Sequence, residues 1–181
     1  MTVVIDACVL FPTVLREITL GVAKTGAFRP LWSARILEEW RRAAEKRGPR
    51  DAEIAGVEIA LATAAFPEAE VRYSTATEDR LSLPDPDDRH VLAAAVDSGA
   101  NEILTLNIKD FPGNILAREG VLRRHPDEFL FELWAEDTSA IAGVVEDVLG
   151  RARGHGIDTS NPRALLKKAR LPRLGKALFQ V

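Results

Sequence analysis

The feature that most constrains this chain is a repeated alternation of short strand-like runs with stretches of helical spacing. Residues 2–5 form a β-branched run of the kind a buried parallel strand shows. Residues 9–22 carry Leu10, Val14, Ile18 and Val22 at helical spacing, and Gly26 marks a stop soon after. Residues 28–32 read as an edge strand, because Pro30 has no N–H to give to a ladder. Ser33 is placed to cap a helix whose inner face holds Ile36, Leu37 and Trp40. Past Pro49, another helix carries Ile54, Val57, Ile59 and Leu61, and residues 70–74 read as a third strand. Asp85-Pro86-Asp87-Asp88 opens a helix bearing Val91, Leu92, Ala95 and Val96, with Gly99 as its stop. Residues 102–106 are the fourth strand, and a short fifth is expected near Val121. The rhythm predicts an α/β fold, a parallel sheet flanked on both faces by helices.

The chemistry lies in where acids fall against this rhythm. Ligands of open parallel sheets bind beyond the carboxyl ends of the strands, where strand order reverses. Asp6 ends the first strand, Asn107 ends the fourth, and Asp110 follows one turn later. Asp87 and Asp88 sit in the first turn of the helix after the third strand, and Glu38 and Glu39 lie on the helix after the second. Four separated segments therefore bring acids to one end of one sheet. Taken singly, each has an ordinary explanation: first-turn helix acids, a solvated helix face, a turn residue before Phe111-Pro112. Asp6 is harder to dismiss, because a carboxylate directly after a buried strand is costly without a partner. Like charges about 4 Å apart repel by about 4 kcal/mol at an effective dielectric of 20. Such a cluster needs raised carboxyl pKa values or a cation, and an all-oxygen site suits Mg²⁺ or Mn²⁺. The chemistry implied is metal-assisted phosphodiester hydrolysis.

Competing motifs fit less well. The glycines of Gly21-Val22-Ala23-Lys24-Thr25-Gly26 end a helix, and Ala27-Phe28 stand where a phosphate loop needs Lys and Ser/Thr. Cys8 follows the first strand as in small tyrosine phosphatases, but Val14 occupies the place of their arginine, so Cys8 reads as buried and inert. His90, His125 and His155 lack metal-ligand spacing, although His90 is near enough to Asp88 to bond beside the site. A receiver domain would want its acids paired near the first strand, the reverse of the order here.

Composition bounds the rest. With 181 residues, 46% apolar and 28% charged, the chain is expected to be an ordinary soluble domain, or one domain with an appendage. One cysteine excludes a disulfide scaffold and fits a reducing compartment. No apolar run approaches the roughly 20 residues of a membrane span, and no basic leader precedes the first strand, so a cytoplasmic location is expected. The net charge of −3 hides a split: residues 1–150 hold 16 Lys+Arg against 26 Asp+Glu, and residues 151–181 hold 8 against 1. RNA affinity must come from such cations, since neutralised phosphates supply most of it. The candidates are Arg41, Arg42, Lys46, Arg47 and Arg50, and the tail cations, Lys167 and Lys168 among them.

Four segments in order carry a family resemblance: Val4-Ile5-Asp6-Ala7, residues 33–40, residues 83–95, and residues 104–112. Together they resemble a PIN domain, and most nearly the VapC-type toxins of bacterial toxin–antitoxin pairs. The likeness covers about residues 1–135 and leaves 136–181 as a helical, basic extension. It implies a three-layer fold around a five-stranded parallel sheet and a Mg²⁺- or Mn²⁺-dependent ribonuclease acting on single-stranded RNA. It also implies a cognate antitoxin and a homodimer. Position by position, Asp6 matches the family's first acid, Glu39 its second with Glu38 as the fallback, and Asp88 its third. Asn107 stands where many members have an aspartate, so Asp110 is expected to supply the missing charge. In this reading Asp6, Asp88 and Asp110 hold the ion, Glu39 joins them as a catalytic acid, and Thr105, Asn107, Asp87 and Glu38 support them. The rival readings are a non-catalytic RNA- or partner-binding module with a vestigial acid cluster, and a metal-dependent phosphatase.

Overall fold

A computed structural model describes residues 1–179. Its centre is a four-stranded, wholly parallel sheet of β1 (Thr2–Ile5), β2 (Arg29–Leu31), β3 (Glu102–Leu104) and β4 (Leu122–Arg124), in the order β2-β1-β3-β4. Val3, Val4 and Ile5 of β1 and Ile103 and Leu104 of β3 are fully buried, as expected of strands covered on both faces. The chain runs from β1 outward to β2, then returns to place β3 on the other side of β1. The strand order therefore reverses between β1 and β3. A crevice at the carboxyl ends of these two strands is where such sheets bind ligands.

The helix expected over residues 9–22 is broken into α1 (Ala7–Leu10) and α2 (Thr13–Lys24). Pro12 separates them: it has no N–H to continue the ladder, and its own backbone is extended at ψ 119°, while Phe11 before it stays helical. The helix after β2 is α3 (Ala34–Glu45), capped by the Ser33 side chain, which accepts the N–H of Ile36 at 3.3 Å. It buries Ile36, Leu37 and Trp40 and packs against α1 and against α4 (Pro49–Ala65). After α5 (Thr75–Arg80), a 3-10 turn at Pro86–Asp88 leads into α6 (Arg89–Ser98). Gly99 ends α6 in the left-handed region at φ 66°, the conformation glycine adopts without penalty. Helix α6 packs on β1 and β3, so the turn before it is held at the sheet.

The expected third strand is corrected. Residues 70–74 contribute one parallel bridge, Trp32 to Glu70, flanked by Trp32 N–H to the Ala69 carbonyl at 2.9 Å and Val71 N–H to the Trp32 carbonyl at 2.8 Å. Pairing stops there because Ser74 is already committed as the cap of α5, accepting the N–H of Thr77. The sheet has four strands instead of five for that reason.

The chain groups into two compact units, Met1–Phe11 with Arg29–Arg124, and Pro12–Phe28 with the chain from His125 onward. The boundary expected between residues 135 and 136 falls within the second unit. The first unit holds the sheet, with α7 (Gly113–Arg118) packed on β4. The second is helical: α2, α8 (Pro126–Glu136), α9 (Thr138–Gly154), α10 (Pro162–Lys168) and α11 (Pro172–Leu178). Phe28 meets Phe129 edge-on at 5.1 Å, and Gly21 lets α2 approach α9, since a Cβ there would lie 2.6 Å from Val144 Cγ1. Among the described residues, no helix is long and apolar enough to cross a membrane.

Candidate active site

The first unit has a cavity of about 520 Å³ at the β1–β3 crevice, its polar wall formed by Asp6, Cys8, Glu39, Asp88 and Asn107. Asp6 follows β1 directly, and its N–H donates to the Leu104 carbonyl at 3.0 Å, extending the pairing with β3. The residue is 6% exposed, and its carboxylate does not stand alone. Oδ2 accepts the Thr105 hydroxyl at 2.7 Å and the Cys8 thiol at 3.0 Å. Thr105, fully buried at the end of β3, accepts the Asn107 N–H at 2.9 Å on the same oxygen. The Leu106 N–H donates to Cys8 Sγ at 3.2 Å. The loops after β1 and β3 are thus stitched together by side chains 97 and 99 residues apart in sequence. Burial, and then the negative charge of Asp6, push the Cys8 thiol's pKa upward, so it stays a neutral donor and not a nucleophile.

Asp88 reaches the cavity from the 3-10 turn, which the Asp85 side chain shapes by accepting the Asp87 N–H at 2.9 Å. Its Oδ2 is buried without a hydrogen-bond partner among the described residues. Burial, and then the charges of Asp6, Asp85, Asp110 and Glu39, push its pKa up to about 7. The expected mutual repulsion of the acids is felt at Asp88.

Of the two adjacent glutamates on α3, Glu39 lines the cavity. Its Oε1 lies 2.7 Å from Nε2 of the fully buried His90 and 3.7 Å from Arg35 Nε. Glu38 is turned to the surface pairs: it accepts Arg41 twice and Arg42 once, each at 2.8 Å, and these bonds hold its carboxyl down at about 2. Asp110 is half-buried in the turn after β3, with its N–H on the Asn107 carbonyl, and it adds to the field at Asp88 from outside the polar wall. Asp87 is exposed, and it is its carbonyl that meets Arg35, at 3.4 Å. Arg41 also pairs with Glu45, Arg42 is spent on Glu38, and Lys46 is exposed at the end of α3. Lys167 and Lys168 are exposed on α10 in the second unit.

Sequence reasoning gave Cys8 no part in the site and His90 only a bond nearby. The signal for Cys8 was its place two residues after a strand-ending acid. For His90 the only signal was its place two residues after Asp88.

Among the described residues, no three carboxylate, histidine or cysteine side chains are drawn together closely enough to form a ready-made ion cage. Mg²⁺ does not require one, since it is held through one or two carboxylates and keeps several waters. A buried, unpartnered carboxylate oxygen on Asp88 with Asp6 in the same wall is a hard-oxygen donor set, and it fits such an ion.

A family model for the PIN domain matches residues 2–109. The chain belongs to the PIN domain family. The matched span of the PIN domain contains Asp6, Glu39, Asp88 and Asn107, and Asp110 stands one residue beyond it. Over 63 residues the chain is 46% identical to "Putative ribonuclease VapC50" of Mycobacterium tuberculosis (strain ATCC 25618 / H37Rv). That stretch is 33% of this chain and 37% of the relative, so the likeness spans little more than a third of the relative's length. No solved structure matches the chain.

Proposed function

We propose that this PIN domain protein is a divalent-metal-dependent endoribonuclease cutting single-stranded RNA, the cytoplasmic toxin of a toxin–antitoxin pair. The observation that carries the reading is the buried, unpartnered oxygen of Asp88, set among other carboxylates at the crevice between β1 and β3. The relative's name supports ribonuclease action, and the resemblance to VapC-type toxins supports an antitoxin partner. Asp6 and Asp88 hold the Mg²⁺ or Mn²⁺ ion, with Asp110 adding charge and the Asn107 carbonyl a neutral oxygen. A bound ion of this kind lowers the pKa of water and neutralises charge on a phosphate. Thr105 and Cys8 hold Asp6 in place by donating to Oδ2. Glu39, with Nε2 of the buried His90 2.7 Å from its Oε1, accepts a proton or orients water on the opposite wall. The cognate antitoxin blocks this acid-lined cavity with a basic side chain, for which arginine's fork is suited, and the chain works as a homodimer.

Labelled single-stranded RNA incubated with purified protein, with and without Mn²⁺, tests the reading. Cleavage is expected only with the ion and only with Asp6 intact. Equal cutting by the wild type and Asp6→Asn would identify a contaminating nuclease and remove the assignment. RNA that stays whole beside a hydrolysed phosphomonoester would turn the reading to a phosphatase.

A further inference from the structure

An acid-lined cavity repels the phosphates it is proposed to cut, and two of the cations expected to attract them, Arg41 and Arg42, are taken up by Glu38 and Glu45. The second unit contains the opposite arrangement. Residues 159–181 include six Lys and Arg and no Asp or Glu. Arg163, Lys167, Lys168, Arg170, Arg173 and Lys176 are all exposed on the α10–α11 hairpin. Arg173 lies over the Phe131 ring at 4.2 Å and 4.0 Å from Glu128. No acid among the described residues pairs with the other five.

The hairpin is a firm platform. Leu171 N–H bonds the Leu166 carbonyl at 2.8 Å and Arg170 N–H the Lys167 carbonyl at 3.1 Å, the paired closure of a Schellman turn. Leu166 and Leu171 are fully buried beneath it. The turn position that favours glycine is filled by Arg170 at φ 66°. Gly175 lets the two helices touch, since a Cβ there would lie 3.0 Å from Leu166 Cβ. The Asp127 carboxylate accepts the N–H groups of Arg173 and Leu174 and pins α11 to α8.

We infer that the α10–α11 hairpin is a sequence-independent binding surface for the phosphate backbone of RNA. Protein interfaces carry an apolar core and are poor in lysine. The exposed large apolar side chains among the described residues are Met1, Ile54, Val57, Leu61, Leu122 and Ile157, and none lies on the hairpin. A surface of cations without an apolar anchor suits phosphates, which position a nucleic acid without reading its sequence. That the nucleic acid is RNA rests on the ribonuclease reading.

The test is equilibrium binding of a labelled oligouridylate to the full chain in EDTA, over a range of salt. Each single-strand phosphate contact contributes about −0.7 to the slope of log K against log salt. A variant with Arg163, Lys167, Lys168 and Lys176 all changed to Gln is expected to shallow the slope by about 2 to 3 and to weaken binding at least tenfold, with an unchanged circular dichroism spectrum. The Lys→Arg version of the three lysines is expected to bind as the wild type does. An unchanged slope overturns the inference. It is overturned equally if polyglutamate binds as tightly as the oligonucleotide and loses as much in the variant, since the surface then takes acidic protein segments. Binding that behaves as expected in a protein that cuts no RNA with Mn²⁺ overturns the ribonuclease reading and leaves this surface standing.

Discussion

The cavity of the first unit and the α10–α11 hairpin of the second both gather charge of one sign, but they bear it differently. On the hairpin the cations are exposed, so water screens them and their repulsion costs little. In the cavity the acids are partly withdrawn from water, and the strain falls on Asp88, whose pKa rises to about 7. Like charge is tolerable where it is solvated and unstable where it is not. On the proposed readings, the hairpin takes a large, diffuse counterion such as a phosphate backbone, and the cavity a small, compact one. Removing charge should therefore have opposite consequences for activity and for stability in the cavity.

The sharpest test is Asp88→Asn and Asp6→Asn. Each is expected to lower metal-dependent cleavage by more than about 100-fold, beyond the 10–100-fold typical of residues that only support metal ligands. Asp88→Asn is expected at the same time to raise the melting temperature of the metal-free protein at pH 8, because it removes the charge that burial and neighbouring acids oppose. A variant that loses activity and also melts lower would mean that Asp88 is chiefly structural.

Next in size is Thr105→Val, which keeps the shape and deletes the hydroxyl that donates to Asp6 and accepts from Asn107. A loss of about 10–100-fold in apparent metal affinity is expected, read from the Mn²⁺ concentration giving half-maximal cleavage. If only turnover at saturating Mn²⁺ falls, Thr105 acts on substrate and not on the orientation of Asp6.

The pH dependence carries a definite sign. Asp88 holds its proton up to about pH 7 when folded, against 3.8 as its ordinary value. Between those limits the folded state binds more protons than the unfolded one, so stability falls as pH rises. This contribution is fully present below pH 4 and is lost as pH passes through 7. Thermal melts of the metal-free protein should show a decline from pH 5 to pH 8 that is weaker in Asp88→Asn. Mn²⁺ should stabilise the wild type more at pH 8 than at pH 5, since ion and proton compete for the same carboxylate. Identical profiles for the two proteins would break the link between burial of this acid and its need for a cation.

What was legible in the sequence was what local chemistry decides. Asp6 after a β-branched run, Ser33 as a cap and Gly99 as a stop each act within a few residues, and the structure places them as expected. The PIN likeness rested on several such segments in order. Pro12 was equally local, but the apolar spacing of residues 9–22 overrode it, and the helix breaks there. The third strand was lost to a competition that spacing does not register, because Ser74 serves the helix after it. Cys8 and His90 owe their roles to partners 97 and 51 positions away, Thr105 and Glu39, which the fold alone brings near.

Glu38 and Glu39 show the limit most clearly and give the smallest expected effect. Neighbours on a helix point about 100° apart, so their fates depend on which face the helix buries. Ile36 and Trp40 face the core, Glu39 reaches the cavity beside His90, and Glu38 meets Arg41 and Arg42 in solvent. The surface pairs are screened and contribute little to stability. Glu38→Gln is therefore expected to leave cleavage within about twofold of wild type and the melting temperature nearly unmoved, in keeping with a surface change. Glu39→Gln should reduce turnover clearly, and His90→Gln should reduce it less, since the amide keeps a donor near Oε1. Parallel cleavage assays of the three variants decide the matter: an active Glu39→Gln beside an inactive Glu38→Gln would reverse the assignment and require α3 to present its other face to the cavity.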